Sequence, residues 1–418
     1  MKIRLVLLLV AASGLLLLNG CISVGPDYEQ PETELPDAWH ASVQEEFESG
    51  EPNLQTWWTV FDDDILNDLV AEASTNNLTL KAAAARIEQA AALRGVSASR
   101  YWPEIAAGGS ASAVQATTAS TPAGADRQGE FYTAGLTMAW ELDLWGRIRR
   151  SVESSEASLQ ASVENYRDIL VLLYADIAAN YINVRTLQER IAFAETNLAA
   201  QKETMELTQN RFDSGLVPAL DVSQAELNHF RTQSLIPPLR QSLIEAINRL
   251  SVLTGDMPYA LQERLGQARP IPSVSGNVMV GLPAELLRQR PDIRRAEREL
   301  AAQNARIGAV KAELYPTLAL PGTLALESTG GGNFFSDDNV VYSFGPQLRW
   351  SIFNGRRIRN QVDAEHAATK AALHVYEQSI LLALEEVEGA MAAYANERDR
   401  SLSLDAAETS ASNSVELV

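Results

Sequence analysis

The chain states one pattern twice, at an offset of about 210 residues. Residues 78–105 (LTLKAAAARIEQAAALRGVSASRYWPEI) align with residues 292–318 (DIRRAERELAAQNARIGAVKAELYPTL), which places Pro103 on Pro316. Further along, Trp140 to Arg149 (WELDLWGRIR) matches Trp350 to Arg359 (WSIFNGRRIR). Each copy reads as helix, strand pair, very long helix. A repeated unit of this length is an architecture, so the fold must be assembled from two like halves.

The N-terminus carries Lys2 and Arg4, then an uncharged stretch from Leu5 to Leu18. That stretch would span only ~21 Å as a helix, short of the ~30 Å hydrocarbon core. It reads as the basic and apolar regions of a signal peptide, residues 1–20. It ends at Gly20-Cys21, and Cys21 is the only cysteine in the chain, so no internal disulfide can form. The segment resembles a bacterial lipobox, in which cleavage between Gly20 and Cys21 leaves the cysteine as a lipidated first residue. Asn19 stands where a small residue is usual. Ile22, in place of aspartate, implies sorting to the outer membrane on that resemblance. One acyl chain binds membranes only marginally, so stable anchoring needs further chains or a second membrane element.

The chain has 34 basic and 54 acidic residues, for a net charge of -20. Phosphate binding needs a basic stripe, so nucleic acid is excluded as a partner. The acidic excess serves solubility or lines a water-filled lumen that favours cations. No catalytic pattern is present: His40, His229, His366 and His374 form no metalloprotease pair, and Gly330-Gly-Gly332 lacks the lysine of a phosphate loop. Neither a metal site nor a cofactor is expected. Asp62, Asp63 and Asp64 suit the capping of a helix start better than a calcium loop.

Residues 21–56 read as a polar tether, 57–280 as a first repeat and 281–418 as a second. Long helices are expected at about 146–213 and 219–254, and again at about 356–418. In the first of them Val163, Tyr166, Leu170, Leu173, Ile177, Val184, Leu187, Ile191, Ala194 and Leu198 keep a seven-residue repeat. Leu373, Tyr376, Ile380, Ala383, Val387, Ala390 and Tyr394 restate it. A sustained repeat of this kind means coiled-coil packing, and roughly 67 helical residues would extend ~100 Å. Pro237-Pro238 predicts a break or offset in the returning helix.

Strands are expected at about 104–117 and 130–142, then at about 316–327 and 341–352. Tyr132, Ala134, Leu136, Met138, Trp140 and Leu142 alternate with Phe131, Thr133, Gly135, Thr137, Ala139 and Glu141. Tyr342, Phe344, Pro346, Leu348, Trp350 and Ile352 alternate with Ser343, Gly345, Gln347, Arg349 and Ser351. Strict alternation with aromatics at the end reads as transmembrane β-structure, lipid on one face and water on the other. Four strands cannot close a barrel, so spanning strands require several chains to share one.

On these features the chain resembles the lipoprotein branch of the TolC-like outer-membrane factors. The carriers are Cys21 with Val24-Gly-Pro-Asp-Tyr28, Trp57-Trp58, the Tyr101-Trp-Pro103 and Tyr315-Pro316 segments, and Arg211-Phe-Asp-Ser-Gly-Leu216 with Leu220-Asp221. The resemblance covers the whole mature chain. It implies an α+β membrane protein of duplicated helix–β-hairpin–long helical hairpin units. It further implies a homotrimer with a 12-stranded barrel in the outer membrane of a Gram-negative bacterium and an α-helical barrel in the periplasm. The implied function is the passive exit duct of a tripartite efflux system for small molecules, with a periplasmic adaptor and an inner-membrane resistance-nodulation-division pump as partners. Type I secretion of proteins or peptides and a purely structural coiled-coil lipoprotein are the alternatives. The resemblance places an adaptor-docking tip at Ser214, Gly215 and Leu216. Asp221 is an aperture candidate, although a helix-start carboxylate is the plainer reading. By the same offset Val418 falls on Thr208, so the second repeat is expected to be a C-terminally incomplete copy, lacking its tip and returning helix.

Overall fold

The computed structural model describes residues 23–32, 36, 39, 48–49, 55–117, 128–274, 279–280, 289–330 and 332–417. Gly20 and Cys21, with the apolar leader, lie outside the described residues. The helices are α1 (Asp64–Asn76), α2 (Leu78–Ser99), α3 (Arg147–Asp213), α4 (Ala219–Leu253), α5 (Gln262–Leu265), α6 (Pro291–Lys311) and α7 (Arg357–Glu416). The strands are β1 (Glu48–Ser49), β2 (Glu104–Gln115), β3 (Gln128–Ala139), β4 (Glu141–Leu142), β5 (Met279–Val280), β6 (Thr317–Ala319), β7 (Gly322–Thr329), β8 (Val340–Phe344) and β9 (Gln347–Arg349). Two compact units result: Met1–Thr33 with Ile87–Val163 and Ile293–Leu381, and Glu34–Arg86 with Glu164–Asp292 and Leu382–Val418. The division cuts across the linear repeats, because each unit gathers pieces of both.

The short parallel pair β1-β5 belongs to the second unit, and the first holds the two larger sheets. One is antiparallel with order β2-β3-β7-β8, and a second, β4-β6-β9, continues the same strands. The repeat is visible in the register. Ala111 pairs with Tyr132 as Leu324 pairs with Tyr342, and Ile105 pairs with Met138 as Leu318 pairs with Leu348. Leu320-Pro321 separates β6 from β7, and Gly345-Pro346 separates β8 from β9; each proline removes one amide donor. Below the strands, α6 packs Ala301 and Ala302 against Ala157 of α3. Side chains this small let two helix backbones approach closely.

The second unit holds the main apolar core. Leu66, Leu69, Val70 and Ala73 of α1 meet Leu173, Ile177, Tyr181 and Val184 of α3 and Ile247 and Leu250 of α4. Asp63 starts α1 as its N-cap, accepting from the Leu66 amide at 3.0 Å. Asn77 joins α1 to α2: its Oδ1 accepts from the Leu80 amide at 2.9 Å and its amide donates to the Leu253 carbonyl at 2.9 Å. Trp57, Trp58 and Phe61 pack on this core, with Trp58 edge-on to Tyr174 at 4.6 Å.

Arg185 is fully buried here. It donates to the Gln267 carbonyl and to the Gln188 side chain, and also to the Tyr181 hydroxyl, which in turn donates to Asp63 at 2.7 Å. Tyr181 is thus the neutral link between a buried guanidinium and the carboxylate that caps α1. Its ring also lies 4.8 Å from the guanidinium carbon.

The break expected at Pro237-Pro238 does not occur, for α4 runs through both prolines. Its inward positions are Val222, Ala225, His229, Thr232, Ile236, Leu239, Leu243, Ala246 and Leu250, spaced alternately by three and four without a slip. Proline's fixed φ is itself helical; its cost in a helix interior, ~3 kcal/mol, is a lost hydrogen bond and a steric push. Burial of Ile236 and packing of Leu239 on the core hold the helix in phase against that cost. Thr232 donates to Gln201 of α3 at 3.0 Å, and Arg240 pairs with Glu195 at 2.6 Å. The repeat expected in α7 also shifts near its end. Ala390 and Tyr394 are exposed, and Met391 takes the inward place after Val387.

Burial, then the hydrogen bond to Asp63, push the Tyr181 phenol up to about 12. A folded value above the ordinary one of about 10 gives stability that is complete below pH ~10 and lost as pH rises through the folded value. Replacing Tyr181 with Phe should cost roughly 1–3 kcal/mol near neutral pH, by stranding polar groups of Arg185 and Asp63. It should also flatten the alkaline loss. Thermal unfolding followed by circular dichroism in detergent, from neutral pH to pH ~12, measures both.

Candidate membrane sheet and helical tip

Among the described residues, no protein layer covers either side of most of the four-stranded sheet. Every position of β2 and of β8 is exposed, and in β7 only Ala325 is buried. A water-soluble antiparallel sheet buries one face. Here the faces differ in chemistry. The pairings put Ile105, Ala107, Tyr132, Leu136, Met138, Leu324, Leu326, Tyr342 and Phe344 on one face. The other carries Glu104, Ser110, Ser112, Thr133, Thr137, Thr323, Glu327 and Ser343. One side suits hydrocarbon and the other water.

A duplicated clamp closes the foot of each hairpin. Trp140 Nε1 donates to the Tyr101 carbonyl at 3.0 Å, and Trp350 Nε1 donates to the Leu314 carbonyl at 3.0 Å. The alignment superposes these two bonds. Indoles with an apolar ring and a polar tip belong at a membrane–water boundary. Between the repeats, Trp145 stacks on Tyr315 at 4.8 Å and donates to the Pro316 carbonyl at 2.7 Å. Asp143 caps the start of α3 through the Ile148 and Arg149 amides at 3.1 and 2.9 Å. Glu141 grips Arg147 with two bonds of 2.8 and 2.5 Å, which raise the arginine's pKa and keep it charged. A cleft of about 700 Å³ at this level is lined by Arg100, Trp102, Glu104, Trp140, Glu141 and Arg147.

The segment Val24-Gly-Pro-Asp-Tyr28 docks onto the same region. The Val24 amide donates to the Trp145 carbonyl at 3.1 Å. A Cβ at Gly25 would lie 2.5 Å from the Gly308 Cα, so two glycines permit this backbone contact. Asp27 pairs with the buried Arg150 at 2.6 Å, and Tyr28 donates to Glu297 at 2.5 Å. Burial and then that bond raise the Tyr28 pKa. The motif was legible in the sequence, but its receptors, Arg150, Glu297 and Gly308, were not. They carry no local signal and are brought together only by folding.

The far end of α3 is the other expected site. Gly215 has φ +70°, and the Gly215 and Leu216 amides donate to the Phe212 and Arg211 carbonyls at 2.8 and 2.9 Å, closing the helix. Ser214 donates through its amide to Asn210. Leu216 and Leu220 are 73 % and 72 % exposed. Asp221 lies in the first turn of α4, exposed, its amide donating to the Pro218 carbonyl at 3.0 Å. The sheet and the tip are elements of different units.

A family model described as outer membrane efflux protein matches residues 69–256 and 282–418. The chain belongs to that family. Nodulation protein T of Rhizobium leguminosarum bv. trifolii is 32% identical to this efflux protein, over 91% of its chain and 80% of the relative. The solvent efflux pump outer membrane protein SrpC of Pseudomonas putida is 30% identical, over 91% and 81%. Among solved structures, the outer-membrane channel OprN superposes with a TM-score of 0.83 at 35% identity, covering 91% of this chain and 85% of the channel. The duplicated helix–β-hairpin–long-helix fold expected from the sequence is the fold of these channels, and the efflux protein is located in the outer membrane of a Gram-negative bacterium. Among the described residues no helix is long and apolar enough to cross a membrane.

The two-faced sheet makes a direct prediction. Cysteine in place of Thr137 or Thr323 should react with a water-soluble thiol reagent in intact membranes, and cysteine in place of Leu136 or Leu324 should not. Equal labelling of both sets would mean a sheet bathed in water on both sides.

Proposed function

We propose that this efflux protein is the passive exit duct of a tripartite pump, conducting small molecules from a periplasmic adaptor and an inner-membrane pump to the exterior. The observation that carries the reading is the sheet: uncovered on both sides, apolar on one face, hydroxyl-bearing and acidic on the other. A single chain supplies four of its strands and leaves two edges open, so the reading requires several copies to share one barrel, three of them by the family resemblance. The duct makes and breaks no bond, and its energy comes from the inner-membrane pump, of the resistance-nodulation-division type by the family resemblance. The solvent efflux role in the name of SrpC supports apolar small molecules as cargo.

Ser214, Gly215 and Leu216 are assigned to adaptor docking, with exposed Leu216 and Leu220 as apolar contacts beside a turn that glycine permits. Asp221 is assigned to the start of α4, where a carboxylate suits the helix dipole. Cys21 is assigned as the lipid anchor following cleavage after Gly20. The docked Val24–Tyr28 segment supports this, since it fixes the chain two residues beyond Cys21 beside Gly146, whose Cβ would meet Ser23 Oγ at 2.6 Å.

Removing the gene from its host should raise cellular accumulation of a hydrophobic dye and lower survival in solvent, and the intact chain should restore both. Unchanged accumulation together with a secreted protein trapped in the periplasm would transfer the reading to a secretion duct. Replacing Cys21 with Ser should abolish metabolic labelling with palmitate; a label that persists would refute the anchor.

A further inference from the structure

The sheet ends in two free edges, β2 and β8, and Gly345 at the second edge has no role within one chain. A Cβ there would meet nothing within 4 Å, and its φ is not in the left-handed region. Neither crowding nor backbone conformation calls for glycine. Its repeat counterpart is Gly135, 210 positions earlier in an alignment that also superposes Trp140 on Trp350. Gly135 is required: a Cβ there would lie 2.4 Å from the Ala325 Cβ and 2.5 Å from the Ala325 Cα and the Leu324 carbonyl. Ala325 belongs to β7, the strand that seals one repeat against the next, and pairs directly with Gly135.

We infer that Gly345 is the close-approach point for β2 of a second copy of this chain, with Ser112 of that copy in the place that Ala325 takes against Gly135. The inference rests on the trimeric reading above and adds its register. The seam inside the chain is β3 against β7; its equivalent between copies is β8 against β2. Pro103 aligns with Pro316, which puts Ser112 in the position of Ala325. Because the two hairpins share one internal register, the intrachain seam can be carried over residue by residue. Phe344 then faces Ala113, Ser343 faces Val114 and Leu348 faces Gly109 of the next copy. Ser112 and Gly345 both lie on the polar face, as cross-strand partners must. A one-residue slip would turn the apolar side of one copy toward water, so the face pattern excludes odd shifts.

The foot of the seam agrees. Trp102 occupies the position of Tyr315, whose ring is covered by Trp145 within the chain. Trp102 is 75 % exposed, and the second repeat carries Gly355 at the position of Trp145. Phe353, two residues before that glycine, is 91 % exposed. Both rings stand where the seam would bury them.

Disulfide trapping tests the register in full-length protein in its membrane. Cysteine pairs are placed at Phe344 with Ala113 and at Ser343 with Val114. Successive antiparallel pairs alternate between hydrogen-bonded and closer non-hydrogen-bonded sites, so one of the two suits a disulfide. The expected result is a ladder of covalent oligomers ending at a closed ring under non-reducing conditions. Each single cysteine, with Cys21 unchanged, should give no ladder, and neither should Phe344 paired with Ala111. Replacing Gly345 with Leu should abolish cross-linking at Ser343 with Val114 and shift the detergent-solubilised protein to monomer mass. A ladder only at the shifted pair, or an oligomeric mass without any ladder, would overturn the register and leave the trimeric reading standing. Monomer mass in the unmodified protein would overturn both.

Discussion

Backbone hydrogen bonding at the edges of a four-stranded sheet is the constraint on which this protein's organisation depends. In hydrocarbon every amide and carbonyl must find a partner inside protein. The antiparallel ladder from β2 to β8 satisfies the interior strands and leaves one row of donors and acceptors on each outer strand. Among the described residues no helix covers these edges, as one does in many soluble proteins, and β2 and β8 are exposed throughout. Ile105, Leu136, Leu324, Tyr342 and Phe344, all exposed, share one face of the same strands, while Val114, Phe131 and Val341 stand among the hydroxyls of the other. Open edges and an apolar face together are what the proposed shared barrel in lipid accounts for.

The strands are held by contacts at their foot rather than by a core beneath them. Trp140 and Trp350 each tie a hairpin to the residue that enters it, and Trp145 ties the repeats together through Tyr315 and Pro316. The Val24–Tyr28 strap adds a further layer through glycine–glycine contact and the Arg150–Asp27 pair. Such short, directional links suit a place where the hydrophobic effect is weak, because lipid solvates apolar side chains as well as protein does. The second unit works differently. There an apolar core among α1, α3 and α4 gives stability, and the Arg185–Tyr181–Asp63 chain places a buried cation within reach of a carboxylate through a neutral phenol.

The α3–α4 hairpin shows packing overriding local preference. Two adjacent prolines in the middle of α4 would end an isolated helix. The inward track from Val222 to Leu250 nonetheless stays in phase, because its residues meet a helix carrying the same seven-residue spacing. The polar members of that track make use of their position, as Thr232 does with Gln201.

Much was legible in the sequence. The duplication, the length of α3 and the period-two alternation of β3 are written locally, since helical and strand periods mark which side chains share a face. The same holds for the glycine turn at Gly215 and the carboxylate cap at Asp63. Three things were decided only by tertiary structure. Passage through Pro237-Pro238 depends on Ile236 and Leu239 having a core to enter, which no local rule records. The receptors of the N-terminal strap, Arg150, Glu297 and Gly308, lie far from it in sequence and acquire meaning only when the chain folds back. The need for glycine at position 135 came from the closeness of Ala325, a distance between strands of different repeats. Local patterning is set by bonds along the chain, whereas close approach and burial are set by what the rest of the chain brings alongside.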